Sequence, residues 1–266
     1  MKPENRLHAR DYILGLSAGG HYHFNSSEAQ AALDVSPAAA KLALNRLAKQ
    51  GQVASPARSF YVVVPPEYHS LGCLPADQFV PQLMKRMGVT YYTGLLSAAQ
   101  YHGAAHHRPQ EYQVMVAKPR RLMVCGKVRV AFVGRKNISE IPVQSFNTPR
   151  GNVLVSTPEA TAIDLIGYYN HVGGLDQVAT ILGELAEKLD PDKLVSAAQT
   201  APISWAQRLG YLLEKVDAGS HARALKIHVR THARQATVLL PSAVAKISQR
   251  DKGWMLDINA DVEAEL

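Results

Sequence analysis

SSEAQAALDVSPAAAKLALNRLAKQGQVASPARSFYVVV, from Ser26 to Val64, carries two helix starts, one helix stop and two strand-like runs. Ser26 or Ser27 can cap a helix over Glu28–Leu33, with Glu28 in the first turn, where the helix dipole favours an anion. Asp34-Val35 makes a turn, and Ser36-Pro37 starts a second helix. There the serine hydroxyl accepts an orphan N–H, and proline at the first helical position forfeits no hydrogen bond. This helix is expected from Pro37 to Gln50 and stops at Gly51, a residue that tolerates the left-handed cap. Val53-Ala54 and Phe60–Val64 then read as strands, separated by a segment in which Pro56 breaks the run and Arg58 sits at the tip.

At about 3.6 residues per turn, Ala40, Ala43, Leu44 and Leu47 share a face that can pack on the preceding helix. Ala38, Lys41, Asn45, Arg46 and Lys49 lie off that face. Two helices, a tight turn and a ribbon in this order predict a winged helix-turn-helix, so duplex DNA is the first partner to consider. A helix that is apolar inside and basic or amide-bearing outside can enter the major groove with its outer side chains free. Lys41 and Asn45 are expected at base edges, Asn45 through a two-atom bond to adenine, and Arg46 and Lys49 at phosphates. Ser36, Ala38, Arg58 and Ser59 complete the expected DNA-binding set. The plainer alternative is a helical hairpin and ribbon used for protein contacts, with Lys and Arg as a solvated face.

A chain of 266 residues with 47% hydrophobic content can bury two cores and is no disordered tail. No apolar run approaches the ~20 residues needed to cross a bilayer, and charges interrupt the N-terminus MKPENRLHARDYILGL. A cytoplasmic protein without membrane contact is expected. Cys73 and Cys125 are too few and too isolated in sequence for a disulfide framework or a zinc cluster, and are expected to be reduced structural thiols. The net charge of +7 is uneven. Residues 1–70 hold seven Lys/Arg against five Asp/Glu, 71–155 eleven against three, and 156–266 eleven against fourteen. Most of the basic excess therefore follows the winged helix, and it favours a polyanion through counterion release.

Pro65-Pro66 and Gly72–Pro75 bracket a linker, which divides the chain into a DNA-binding domain at 1–70 and a larger domain at 71–266. Helices are expected over Ala76–Met87 and Tyr92–His102, and strands over Tyr112–Lys118 and Lys127–Val133. The strands form a half-buried antiparallel sheet whose outer face carries Lys127 and Arg129, extended by Lys118, Arg120, Arg121, Arg135 and Lys136. That face serves either solubility or a second contact to nucleic acid or a partner. Thr157-Pro158 starts a helix through Tyr169, with further helices over Leu175–Lys188, Pro191–Gln199 and Ser204–Ala218, and strands over Ala236–Leu240 and Trp254–Ile258. The predicted class is α+β, a winged helix-turn-helix followed by a larger domain of antiparallel sheet and flanking helices.

Four segments, in this order and spacing, resemble the AbiEi-type antitoxins, the regulatory half of type IV abortive-infection toxin-antitoxin pairs. They are the winged helix ending in Phe60–Pro65, the stretch Tyr91–Gly103, the stretch Thr157–Leu165 and the terminal Trp254–Asn259. The resemblance implies a promoter-binding autorepressor and a C-terminal domain that counteracts a nucleotidyltransferase-like toxin without a stable complex. It places the DNA contacts on Lys41, Arg46, Lys49 and Arg58. Four charges are few, so a monomer or weak dimer occupying repeated half-sites cooperatively, or helped by the basic sheet, is expected.

Enzymatic alternatives find less support. His102, His106 and His107 beside Arg108 form the densest histidine cluster, but Glu111 is the only carboxylate near them in sequence, so a surface or core-capping role is preferred to a metal site. A metal-dependent DNA nuclease needs clustered carboxylates, and residues 71–155 offer only Asp77, Glu111 and Glu140. Glu159 and Asp164 are five apart on one predicted helix, a spacing that does not bring their side chains together well, so dipole compensation and surface solvation are the roles expected. No phosphate loop, nucleophile elbow or CxxC pair occurs, and no cofactor, metal or catalytic residue is expected. A winged-helix regulator without an antitoxin role remains the other alternative.

Overall fold

The computed structural model describes residues 7–104, 109–243 and 249–265. Helix α1 (Ala9–Ala18) and strand β1 (His23–Asn25) lead into α2 (Ser26–Leu33), α3 (Pro37–Lys49), β2 (Val53–Ala57) and β3 (Phe60–Val63). The cap of α2 is Asn25 rather than Ser26 or Ser27. Its Oδ1 accepts from the N–H groups of Ser27 at 2.8 Å and Glu28 at 2.9 Å, while Glu28 Oε2 accepts from the Asn25 N–H at 2.8 Å. This reciprocal box satisfies otherwise orphaned donors and starts the helix two residues before the expected Glu28. Asp34, at φ 49°, turns the chain. Ser36 caps α3 as expected, accepting from the Ala39 N–H at 3.3 Å. Strand β2 runs through Pro56 instead of stopping before it. Its pairing with β3 shifts register between Ala54 and Ala57, the kind of irregularity at which a strand tolerates proline.

The chain continues through α4 (Val80–Met87), β4 (Tyr91–Thr93), α5 (Leu95–Tyr101), β5 (Tyr112–Val116), β6 (Arg120–Cys125), β7 (Val128–Gly134), β8 (Val143–Thr148) and β9 (Gly151–Ser156). Two predicted helices are shorter than their apolar spacing suggested. Ala76–Gln78 is a 3-10 turn ahead of α4, and Tyr91–Thr93 forms a strand because aromatic and β-branched residues precede the Gly94 break. The remainder is α6 (Pro158–Gly167), α7 (Leu175–Leu185), α8 (Pro191–Ala198), α9 (Ile203–Lys215), α10 (Arg223–His232), β10 (Thr237–Val238), β11 (Gln249–Asp251) and β12 (Leu256–Ile258). The class is α+β, as expected. No helix among the described residues is long and apolar enough to cross a membrane.

Two compact units interleave along the chain. Of the described residues, the first holds those up to Tyr91 with Gln110–Gly134 and Ser145–Val153, and the second holds Tyr92–Pro109, Arg135–Gln144 and Leu154 onward. A single cut at residue 71 does not follow these units, and β3 supplies the physical reason. Val63 faces a cluster with Ile13, Phe24, Ala29, Leu44 and Leu47, whereas Phe60, Val62 and Val64 face another with Phe79, Leu83, Val114 and Phe132. The period of two along the strand thus buries both of its faces. Arg150 adds a further tie within this unit, its guanidinium 4.0 Å from the Tyr22 ring centre and 5.4 Å from that of Tyr68, and hydrogen-bonded to Gln78.

The first unit also corrects the sheet. Strands β5 and β7 run parallel, Tyr112 opposite Val130 and Val116 opposite Gly134. The segment read as a basic extension is itself strand β6, which turns at Gly126-Lys127 and pairs antiparallel with β7, Cys125 opposite Val128. The extra strand in the sequence between β5 and β7 reverses the chain once more, so β5 and β7 run parallel, with β6 on the far side of β7. In the second unit β4 runs parallel to β9, Thr93 opposite Val155, and β12 lies between β10 and β11.

Candidate functional site

On α3 the expected division of faces holds for Ala40, Leu44 and Leu47, which are buried, while Ala43 is half-buried; Ser36, Ala38, Lys41, Asn45, Arg46 and Lys49 are exposed. Arg58 is exposed at the turn between β2 and β3. Ser59 beside it is only half-exposed, at φ 58°, with its hydroxyl 2.8 Å from that of Ser26. The reading of the helix passed over Leu42, which projects outward among these groups and is 59% exposed. Its position was legible from helical spacing, but leucine is conventionally assigned to a core.

The second basic set is only partly a surface. Lys118, Arg120, Arg121, Lys127 and Lys136 are exposed, and Arg129 is exposed but paired with Glu111 at 2.8 Å. Arg135 does not belong to it: the side chain is 3% exposed and points into the second unit. Its Nε donates to Asp164 Oδ1 at 2.9 Å, a terminal nitrogen donates to the Thr200 carbonyl at 3.1 Å, and the guanidinium lies 5.1 Å from the Trp205 ring centre. Strand periodicity placed this residue outside because the pattern was extended past the end of β7 at Gly134.

Asp164 is completely buried and receives a second donor, the Tyr92 hydroxyl at 2.5 Å. Burial drives its pKa upward, against Arg135 and Tyr92, which favour the ionised form. Burial also raises the Tyr92 pKa, and the Asp164 charge adds to it, so the phenol keeps its proton and remains a donor. With both carboxylate oxygens engaged and no exposed surface, Asp164 ties Tyr92 to Arg135 inside the second unit. Glu159 is buried too, its Oε1 accepting from the Asp190 N–H at 3.1 Å. The surface roles expected for Glu159 and Asp164 are therefore overturned.

His102 is buried, its Nε2 2.8 Å from the Ser156 carbonyl and its Nδ1 3.4 Å from Gln144 Nε2. His106, His107 and Arg108 lie outside the described residues. Among the described residues no group of three His, Cys, Asp or Glu side chains is placed to hold a metal. Cys73 and Cys125 are free and buried; the electrostatic influence of Cys125 and burial push the Cys73 thiol upward, while the influence of Cys73 lowers Cys125.

Residues 92–215, which contain Tyr92, His102, Arg135, Glu159, Asp164 and Trp205, match the family model of the AbiEi antitoxin C-terminal domain. The chain carries an AbiEi antitoxin domain. Two of the four segments that suggested the family, Tyr91–Gly103 and Thr157–Leu165, are joined within this AbiEi domain by the Tyr92–Asp164 hydrogen bond. The terminal segment lies beyond the matched span, where buried Trp254 donates from Nε1 to Glu214 at 2.9 Å.

Among solved structures, the RV2827C protein from Mycobacterium tuberculosis superposes with a TM-score of 0.70 at 16% identity, covering 96% of this chain and 93% of that one. This likeness establishes a shared fold. The antibiotic-resistance factor ANT(2'')-Ia aligns at a TM-score of 0.29 and 11% identity over 57% of this chain and 94% of that one, a similarity that carries no argument. A search of curated proteins finds no match.

Proposed function

We propose that the chain is the DNA-binding antitoxin of a type IV toxin-antitoxin pair, repressing its own promoter and neutralising a nucleotidyltransferase-like toxin. In this reading residues 1–70 are a winged helix-turn-helix, α2 and α3 being the helical pair and β2–β3 the wing. The observation that carries it is the coexistence of an AbiEi antitoxin domain with a separate helix, α3, whose exposed side holds Lys41, Asn45, Arg46 and Lys49. The outer side of α3 can lie in a major groove while its buried side stays packed, with Arg58 at the wing tip reaching the flanking backbone. Ser36 and Ala38 stand at the entry of the helix, and Ser59 shapes the wing turn.

The modest charge of residues 1–70 argues for cooperative occupancy of repeated half-sites by a monomer or weak dimer in the cytoplasm. Toxin neutralisation without a stable complex is the reading the resemblance to AbiEi antitoxins implies. Gel shifts on the chain's own promoter test the DNA half of this proposal. Asn45→Ala should lose about 1–3 kcal/mol of discrimination at one base pair, and Lys41→Ala should weaken binding further. Unchanged affinity in the double variant removes α3 from the DNA interface.

A further inference from the structure

Leu42 is 59% exposed on α3 and belongs to neither core cluster of its unit. At about 100° per residue, it lies within ~20° of the direction opposite Ala40, Leu44 and Leu47. It is therefore the residue that projects most directly outward together with Lys49, and Ala38 and Asn45 complete the stripe. A leucine held there leaves more than half of its apolar surface in water and lies outside both core clusters. The groups around it are Lys41, Asn45, Arg46 and Lys49, with no carboxylate on this helix. A second copy presenting the same face would set cations against cations, whereas a polyphosphate complements them.

We infer that Leu42 reads a thymine, packing on the C5-methyl group in the major groove beside the base read by Asn45. The inference rests on α3 being the helix that enters the groove. In that groove thymine alone among the four bases presents a methyl group, where cytosine has only a C5–H, and the hydrogen-bonding groups of the base edges offer a leucine no partner. Leu42 precedes Asn45 by three residues, about 4.5 Å along the helix, which is close to the ~3.4 Å step between base pairs. The two side chains therefore address neighbouring pairs, an apolar contact to thymine next to a two-atom bond to adenine. Small Ala38, one turn earlier, leaves room for the methyl group to approach.

The test uses the full chain and duplexes it enriches from a random-sequence library. An enriched duplex is remade with deoxyuridine replacing thymine at one position at a time, which deletes only the methyl group. The wild type is expected to lose about three- to fivefold in affinity at one or two positions, the value of one buried methyl. Leu42→Ala should bind the thymine duplex weaker by a similar factor, be indifferent to deoxyuridine at those positions, and melt at the wild-type temperature. A wild type indifferent at every thymine, or one that responds as Leu42→Ala does, overturns the inference. Lys41→Ala and Asn45→Ala, measured alongside, separate the two levels. If they lose affinity while deoxyuridine has no effect, the thymine contact alone is wrong; if they bind every duplex as the wild type does, α3 is not the reading helix and the inference falls with it.

Discussion

The Tyr92 hydroxyl donates to Asp164 at 2.5 Å across 72 positions of sequence, and Arg135 closes the same carboxylate from the other side at 2.9 Å. A carboxylate with no exposed surface is tolerable only while both partners remain, because an unpaired buried charge is far costlier than the pair itself is stabilising. Asp164→Asn leaves the Arg135 guanidinium without its counter-charge and should destabilise the chain by about 3–5 kcal/mol. Replacing both by apolar residues, Asp164→Leu with Arg135→Met, should cost less than the single change. Denaturant melts of the wild type and the two variants measure this, and a loss in the double variant as large as that in Asp164→Asn would contradict it.

Histidine burial gives the fold a dependence on pH. Burial lowers the His102 pKa, and the neutral ring suits its surroundings: Nε2–H donates to the Ser156 carbonyl while Nδ1 faces the Gln144 amide nitrogen, a donor. The unfolded chain then binds more protons than the folded one below about pH 6.5, so stability falls as the pH drops through that value. His23 and His228 are lowered by burial as well and act in the same direction. Melting temperatures from pH 7.5 to pH 5.5 should decline, and less steeply in His102→Gln. An identical slope in the variant would remove His102 from the effect.

The exposed basic residues of β6 can be assigned by salt dependence. If Arg120 and Arg121 contact DNA phosphates, changing both to alanine lowers the slope of log affinity against log salt by roughly one per lost contact, with base preference unchanged. A slope equal to that of the wild type would leave these residues to solubility.

Much of the first unit was legible because local signals and tertiary packing agree there. Ser36-Pro37 marks the start of α3, its apolar spacing marks the buried side, and Gly51 at φ 70° follows its end. The α2 cap was misplaced because Asn25 and two serines all qualify chemically, and only the reciprocal bond from Glu28 selects Asn25. The boundary near Leu71 rests on Pro65-Pro66 and glycine, which report chain direction but not core sharing; β3 packs on both sides, and one strand of four residues cannot announce that. Parallel pairing of β5 with β7 was hidden because β6, with Arg120 and Arg121 at its start, reads as a basic extension of the sheet rather than as a strand of its own.

The buried charges were the least visible. Glu159 and Asp164 look like ordinary helix surface in a sequence whose α6 is in fact buried from Glu159 to Ile166. Nothing local distinguishes Arg135 from Lys136, although one is buried and the other exposed. Partners supplied from distant positions, Tyr92 and Thr200 among them, decide which charge a core accepts. Trp254 is similar: its burial depends on Gly210, where an added Cβ would stand 2.0 Å from the indole ring.

Growth rescue tests the central claim most directly. The full chain, either as wild type or as the Lys41→Ala, Asn45→Ala double variant, is expressed with the product of the neighbouring gene, the proposed nucleotidyltransferase-like toxin. Rescue of growth by both proteins, together with loss of promoter repression in the variant alone, is the predicted result. Failure of the wild-type chain to restore growth would contradict the antitoxin assignment.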